Sequence, residues 1–318
     1  MRWLSVLLTG WVAASSLEAA TLTENFSADP LQDGWQIFGN TNLFQWDATN
    51  HELAVTWDSS QPNSFFYRPL GTILGRDDDF SLAFDLQLND VTTTGFGFEI
   101  AVSLLGFADA TRTNFNRGIG QGFPSSPRNV AEVDYFTSLT DGTISPTMIS
   151  SNGQFRTVFD FPLELTNGVW YHIAMAYTAS NQTLSTVITC GNNQSYPAID
   201  SVLLDAAFTD FRLDTVAVSS YNGAADPLDS TLARGVVDNL AVTLPPPPIQ
   251  NLTGAFSNGI WQAQFLSRSN WWYELERTVN LQSWTNLATA SGNATNLFLP
   301  DANPPPARAF YRVRANRP

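Results

Sequence analysis

Lysine is absent from this 318-residue chain: the 15 basic residues are all arginine, and against 29 acids they leave a net charge of -14. A field of that sign repels polyphosphates and anionic lipid, so neither nucleic acid nor anionic membrane is an expected partner. Without a lysine amine there is no Schiff-base chemistry. Cysteine is nearly missing too. Cys190 is alone, so no intramolecular disulfide can form and stability must come from the core, as in larger bacterial exported domains. It ends an apparent strand, Thr183 to Cys190, and reads as a small buried hydrophobe rather than a nucleophile. The two histidines, His51 and His172, are too far apart in sequence for a local metal motif. H-E-x-x-H, C-x-x-C, Walker and G-x-S-x-G patterns are all lacking. The glycine-rich Gly118–Gly122 is not followed by residues that grip a phosphate, and reads as a flexible loop.

Long apolar runs are scarce. Trp3 to Ala14 is mostly apolar, shorter than the about 20 residues a membrane span needs. Arg2 precedes it, and a small-residue region ending Ala19-Ala20 follows. Residues 1–20 therefore read as a secretory signal. No later segment reads as a membrane span, so the expected location is outside the cell or at its surface.

What is abundant is apolar and aromatic: 43% and 13% of residues, enough for a packed core. Phe80, Leu82, Phe84, Leu86 and Leu88 alternate with Ser81, Ala83, Asp85 and Gln87. Phe96, Phe98, Ile100, Val102 and Leu104 alternate in the same way. Period two is the strand signal, and the polar stretch between the runs suggests an antiparallel pair. Further strands are predicted at Glu52–Trp57, Val130–Phe136, Trp170–Thr178, Thr183–Thr189, Phe211–Val218 and Asp238–Leu244, with turn-rich gaps and no convincing amphipathic helix. The fold class that follows is all-β, an antiparallel β-sandwich of two stacked sheets. Pro245–Pro248 can join neither ladder nor helix and favours an extended linker of roughly 12 Å. It divides a large domain, 21–244, from a small β domain, 249–318, with strands at Leu252–Ser257, Ile260–Ser267, Trp272–Arg277, Thr285–Ala290, Asn296–Leu299 and Ala309–Ala315.

Several stretches carry a family resemblance. Thr21 to Phe26, Asp33-Gly-Trp-Gln-Ile-Phe38, Asp79-Phe-Ser-Leu-Ala-Phe-Asp85, Gly168-Val-Trp-Tyr-His-Ile-Ala174 and Gly235-Val-Val-Asp-Asn-Leu-Ala-Val242 resemble a concanavalin A-like, laminin G-type jelly roll. The resemblance implies that the first and last strands pair. Tyr273-Glu-Leu-Glu-Arg277, Leu281-Gln-Ser-Trp284 and Phe310-Tyr-Arg-Val313 resemble a small immunoglobulin- or fibronectin-like C-terminal module of bacterial exported proteins.

On a strand Glu132, Asp134 and Phe136 share one face, and Ala131, Val133 and Tyr135 the other. The stretch resembles part of the catalytic strand of laminarinase-type glycosidases, which implies Glu132 as nucleophile and Asp134 as assistant. Retaining hydrolysis needs a second carboxyl about 5–5.5 Å away. The family's positions for it hold Phe136 and Thr137 here, and Glu99 would have to come from another strand. The preferred reading is therefore non-catalytic: a surface protein binding a polysaccharide or cell-surface component. A divergent glycoside hydrolase using Glu132 and Asp134 and a structural matrix component are the alternatives. Aromatic faces suited to sugars are Trp46, Trp57, Tyr67, Trp170, Tyr135 and the pair Trp271-Trp272, of which one should face outward. Trp271, Trp272, Tyr135 and Glu132 are the expected ligand-binding set. The laminin G resemblance also implies calcium at a sheet rim. Candidate oxygens are Asp77, Asp78 and Asp79, or Asp226, Asp229 and Asp238, with Asp238 the favoured ligand.

Overall fold

The computed structural model describes residues 20–94, 99–118, 126–137, 142–160, 162–191, 194–196, 199–223, 230–306 and 308–317. The proposed signal, most of the Gly118–Gly122 loop, and Asp226 and Asp229 lie outside them. Among the described residues no helix is long and apolar enough to cross a membrane.

The chain divides into two compact units, one spanning Thr21–Pro245 and one containing Pro246–Pro318. The large unit is a sandwich of two antiparallel sheets. Its first sheet runs in the order β13 (Gln194–Ser195), β12 (Thr183–Cys190), β11 (Trp170–Thr178), β6 (Phe80–Thr94), β16 (Ser230–Thr243), β4 (Glu52–Asp58), β3 (Phe44–Asp47); β1 (Thr21–Glu24) also pairs with β16, and β14 (Val202–Leu203) with β12. The second sheet runs β10 (Phe155–Thr157), β9 (Thr143–Ile149), β8 (Val130–Phe136), β7 (Glu99–Leu105), β15 (Leu213–Ser220), β5 (Ser64–Leu74), β2 (Gln36–Phe38). The first and last strands do pair, Thr21 opposite Thr243.

The alternation that marked β6 has its cause in the packing. Phe80, Leu82, Phe84, Leu86 and Leu88 are buried between the sheets, while Ser81, Ala83, Asp85 and Gln87 face outward. Each large apolar side chain so buried is worth about 1.5–3 kcal/mol relative to exposure. Trp35 closes the core at one end, its ring stacked on Phe66 with centroids 4.7 Å apart. The two alternating runs are not partners of each other. β6 bonds to β11 and β16, whereas β7 bonds to β8 and β15 in the opposite sheet. β6 runs on through the polar stretch to Thr94, still paired with β16, where the sequence suggests a turn; Phe96 and Phe98 lie outside the described residues.

The second sheet is buried on both faces. Its outward face carries a satellite core of Phe65, Ala101, Leu105, Val130, Ile149, Ala217 and Tyr221, packed with Ala110 and Phe115. The last two come from residues 107–118, which begin with the short helix α1 (Phe107–Ala110). Several bonds pin this segment to the sheet. The Phe107 N–H donates to Asp214 (2.9 Å), the Asn129 amide to Asp109 (2.6 Å) and the Asn63 amide to the Phe115 carbonyl (3.0 Å).

The small unit holds two three-stranded antiparallel sheets: β17 (Ile249–Ser257), β18 (Ile260–Ser267) and β21 (Asn296–Asp301), then β20 (Thr285–Ser291), β19 (Trp272–Thr278) and β22 (Phe310–Asn316). Its buried core is Ala263, Phe265, Trp271, Tyr273, Leu275 and Leu299. Trp261 stacks on Tyr311 at 3.6 Å between centroids. Part of the proline run is bonded within this unit, since the Arg268 guanidinium donates to the Pro246 carbonyl and the Tyr273 hydroxyl to that of Pro248.

Candidate functional site

β8 presents Ala131, Val133 and Tyr135 to the inter-sheet core and Glu132 and Asp134 to the opposite face. The strand register sets Glu132 between Ser103 and Thr147, and Asp134 between Ala101 and Ser145. Both carboxylates have no exposed surface. Arg117, from the covering segment, spans them. Its Nε donates to Glu132 Oε1 and its Nη2 to Asp134 Oδ2 at 2.8 Å. Tyr221 donates its hydroxyl to Glu132 Oε2 at 2.8 Å, and burial, with the Glu132 charge beside it, pushes that phenol well above the ordinary range. The Phe155 ring lies under the guanidinium, 5.4 Å from its centroid. Hydroxyls complete the layer: Ser103 meets Ser219 at 2.9 Å, and Ser145 and Thr147 share Thr157 at 2.7 and 3.0 Å.

This arrangement fits a structural ion pair. Two acids and a fork-shaped cation are enclosed together, and each acid oxygen engaged by Arg117 or Tyr221 is withdrawn from a substrate. Arg117 gives no signal in the sequence as the partner of Glu132, because it stands in an irregular loop of Asn, Gly and Thr. β7 begins at Glu99, opposite Phe136; the Glu99 side chain lies outside the described residues.

The expected sugar-facing aromatics separate sharply. Tyr135 is 6% exposed, its hydroxyl accepting the Leu165 N–H at 3.1 Å. Trp57 is in the core, and Trp46 is half-buried with its indole N–H on the Phe26 carbonyl at 2.9 Å. Tyr67 stacks on Phe107. Trp271 is 5% exposed, with the guanidinium groups of Arg268 and Arg317 at 6.0 and 5.8 Å from its ring centroid. Trp271, Tyr135 and Glu132 thus drop out of the expected ligand-binding set because packing encloses them. Trp272 remains, 48% exposed, and Trp170 is 37% exposed on the other unit. Trp272 opens the central strand β19, directly opposite Ser291 on one side and Asn316 on the other. The same face continues through Glu274, opposite Thr289 and Arg314, to Glu276, which accepts from Arg312 and Arg314. Arg312 lies over the Trp284 ring at 4.1 Å.

The calcium expectation at Asp238 meets a different chemistry. Asp238 pairs with Asp85 at a bulge in β16. The Asn239 amide nitrogen donates to Asp85 at 2.8 Å and to Asp238 at 3.3 Å, and His172 Nδ1 lies 2.7 Å from Asp85. The Asn239 amide N–H bridges the two carboxylates, in the place where a calcium ion would need oxygens. Burial, then the charges of Asp85 and Glu24, hold the Asp238 carboxyl above its ordinary range. Asp78 is spent on the Gly75 N–H and Asp79 on the Ala179 N–H. Among the described residues no group of three or more His, Cys, Asp or Glu side chains comes together to hold a metal.

No protein-family model and no curated protein matches the chain. Solved structures of similar chain path include peanut lectin with a bound nonapeptide, 15% identical over 72% of this chain and 100% of the lectin, TM-score 0.47. Lectin II from Ulex europaeus is 16% identical over 71% of this chain and 98% of its own, TM-score 0.48. An alginate lyase is 12% identical over 71% and 97%, TM-score 0.42.

Proposed function

We propose that this lectin-like β-sandwich protein is exported and binds a polysaccharide at a cell surface or in its surroundings, without catalysis. The observation that carries the binding reading is Trp272: an indole face open to solvent on the middle strand of a sheet, with hydroxyl, amide and charged side chains beside it. An aromatic face covers the C–H side of a sugar ring, and the surrounding donors and acceptors satisfy its hydroxyls. The enclosure of Glu132 and Asp134 supports the non-catalytic part, and the apolar N-terminal run supports export.

A glycan array, with calcium and with chelator, followed by pull-down on the polysaccharides that score, tests the reading. Saturable binding is expected, with no new reducing ends over time, and with a loss of at least tenfold in Trp272→Ala at unchanged melting temperature. Release of reducing ends would establish an enzyme. Silence on every glycan would leave the structural matrix role.

A further inference from the structure

A cavity of about 340 Å³ opens at one end of the second sheet of the large unit, between the ends of β2 and β5 and the covering segment 107–118. It is far in chemistry from the sealed Glu132–Arg117–Asp134 cluster and includes none of those residues. Its size lies at the lower end of ligand cavities, about 300–1,000 Å³. Phe38 and Phe115 give it apolar walls, and Asn63, Arg112, Thr113 and Asn116 give it polar ones.

The walls are set before any ligand arrives. Phe38, 37% exposed, stands edge-on to Phe107 with centroids 6.0 Å apart. Asn63 donates to the Phe115 carbonyl and accepts the Asn222 N–H at 2.8 Å, which joins the covering segment to the sheet across the cavity. Arg112 commits Nε to the Asp109 carbonyl (3.0 Å) and Nη2 to that of Ser126 (3.2 Å). Asn116 accepts the Gly118 N–H at 3.0 Å through its Oδ1, so its amide nitrogen is the part that can still donate. The Asn63 amide and these two Arg112 nitrogens are bonded within the protein and hold the wall in place, and the Asn116 amide nitrogen, oriented by its Oδ1 bond, is the donor a ligand meets; a wall set in advance lowers the entropy cost of binding.

We infer that this cavity is a second binding site, taking a short neutral sugar of one or two rings. The mixture of aromatic wall with amide and hydroxyl groups matches a ring having an apolar side and an edge of hydroxyls. A neutral ligand is favoured over an acidic one because Arg112 already faces Asp109 at 3.6 Å and the chain carries a net charge of -14. This site stands independently of the Trp272 face, which belongs to the other unit.

Calorimetry and saturation-transfer NMR on the full chain test it, with methyl glycosides of glucose, galactose, mannose and N-acetylglucosamine, lactose and cellobiose, and glucuronate as the acidic arm. The expected result is saturable binding of at least one neutral probe, weakened tenfold or more by Thr113→Trp, which fills the exposed mouth, and by Asn116→Ala. Trp272→Ala should leave that affinity unchanged. The inference is overturned if no neutral probe binds, if only glucuronate binds, or if Thr113→Trp folds and binds like the parent. A loss confined to Trp272→Ala would overturn it as well, while leaving the Trp272 reading intact.

Discussion

Arg117→Met separates a sealed ion cluster from an open carboxylate groove. The guanidinium bonds both Glu132 and Asp134, and neither acid has exposed surface. Removing one partner of a buried ion cluster leaves uncompensated charge, at a cost of about 3–5 kcal/mol. In a unit of this size each 1 kcal/mol moves the midpoint by about 2–4 °C, so a fall of roughly 6–20 °C is expected. Urea unfolding followed by tryptophan fluorescence reads it, because Trp35 and Trp57 are both buried in the same unit. Replacing the whole cluster (Arg117→Met, Glu132→Leu, Asp134→Leu, Tyr221→Phe) should restore most of the loss, since well-packed apolar groups substitute for buried ion clusters with little or no penalty. A cost below about 1 kcal/mol for Arg117→Met, the range of exposed pairs, would refute the reasoning. It would mean that water reaches the acids and that the face is available to a substrate.

Two carboxyls should respond to pH in opposite directions. Asp238 has its folded-state pKa raised, so its protonated form favours the fold and its contribution is lost as pH rises through that raised value. Asp238→Asn should accordingly raise the melting temperature at pH 7, and the gain should vanish in acid. In Asp301 burial opposes the charge, but the Tyr311 hydroxyl (2.9 Å) and Arg277 (2.8 Å) hold the pKa below the usual range. Asp301→Asn should cost about 1.5–3 kcal/mol at neutral pH, a difference that closes as pH falls through the lowered value. Gly235 lies against the Gln87 carbonyl where β16 pairs with β6. A Cβ there would strike backbone, so Gly235→Ala should cost about 1–3 kcal/mol in chemical denaturation.

How much of this was legible in the sequence depends on how many faces of each strand are dry. β6 and β11 bury one face and wet the other, so their alternation shows in the residues. β9 is buried throughout and contains Pro146, so neither alternation nor composition marks it as a strand. β5 is masked in the same way by Pro69, which sits beside a register shift against β15. Which strands pair is a property of the whole fold, and this is why the sequence suggests that the Phe80 run pairs with the run ending at Leu104, whereas β6 and β7 lie in different sheets. The face shared by Glu132 and Asp134 could be read from period two. Arg117 could not, because nothing in a loop sequence says which side chain it lays on a distant sheet. The opposed fates of Trp271 and Trp272 were legible, since adjacent residues at a strand start point opposite ways.

Exposed aromatics in the small unit are not all equal evidence for a ligand. A core of six buried side chains cannot absorb the unit's aromatic content, and Phe256, Phe298 and Phe310 are left outside along with Trp272. Scattered exposed rings of this kind are ordinary. Position distinguishes them. Phe298 and Phe310 lie on edge strands, each with a single bonded neighbour strand, so polar cross-strand partners can flank them on one side only. Trp272 lies on the central strand β19 and has Ser291 and Asn316 opposite it on its two sides. A ring resting on that indole would find hydrogen-bonding groups at both of its edges. The large unit cannot offer an equivalent face on its second sheet, because the covering segment and the Arg117 cluster take both the space and the polar groups. Phe38, 37% exposed, lines the cavity between this sheet and residues 110–116 of the covering segment.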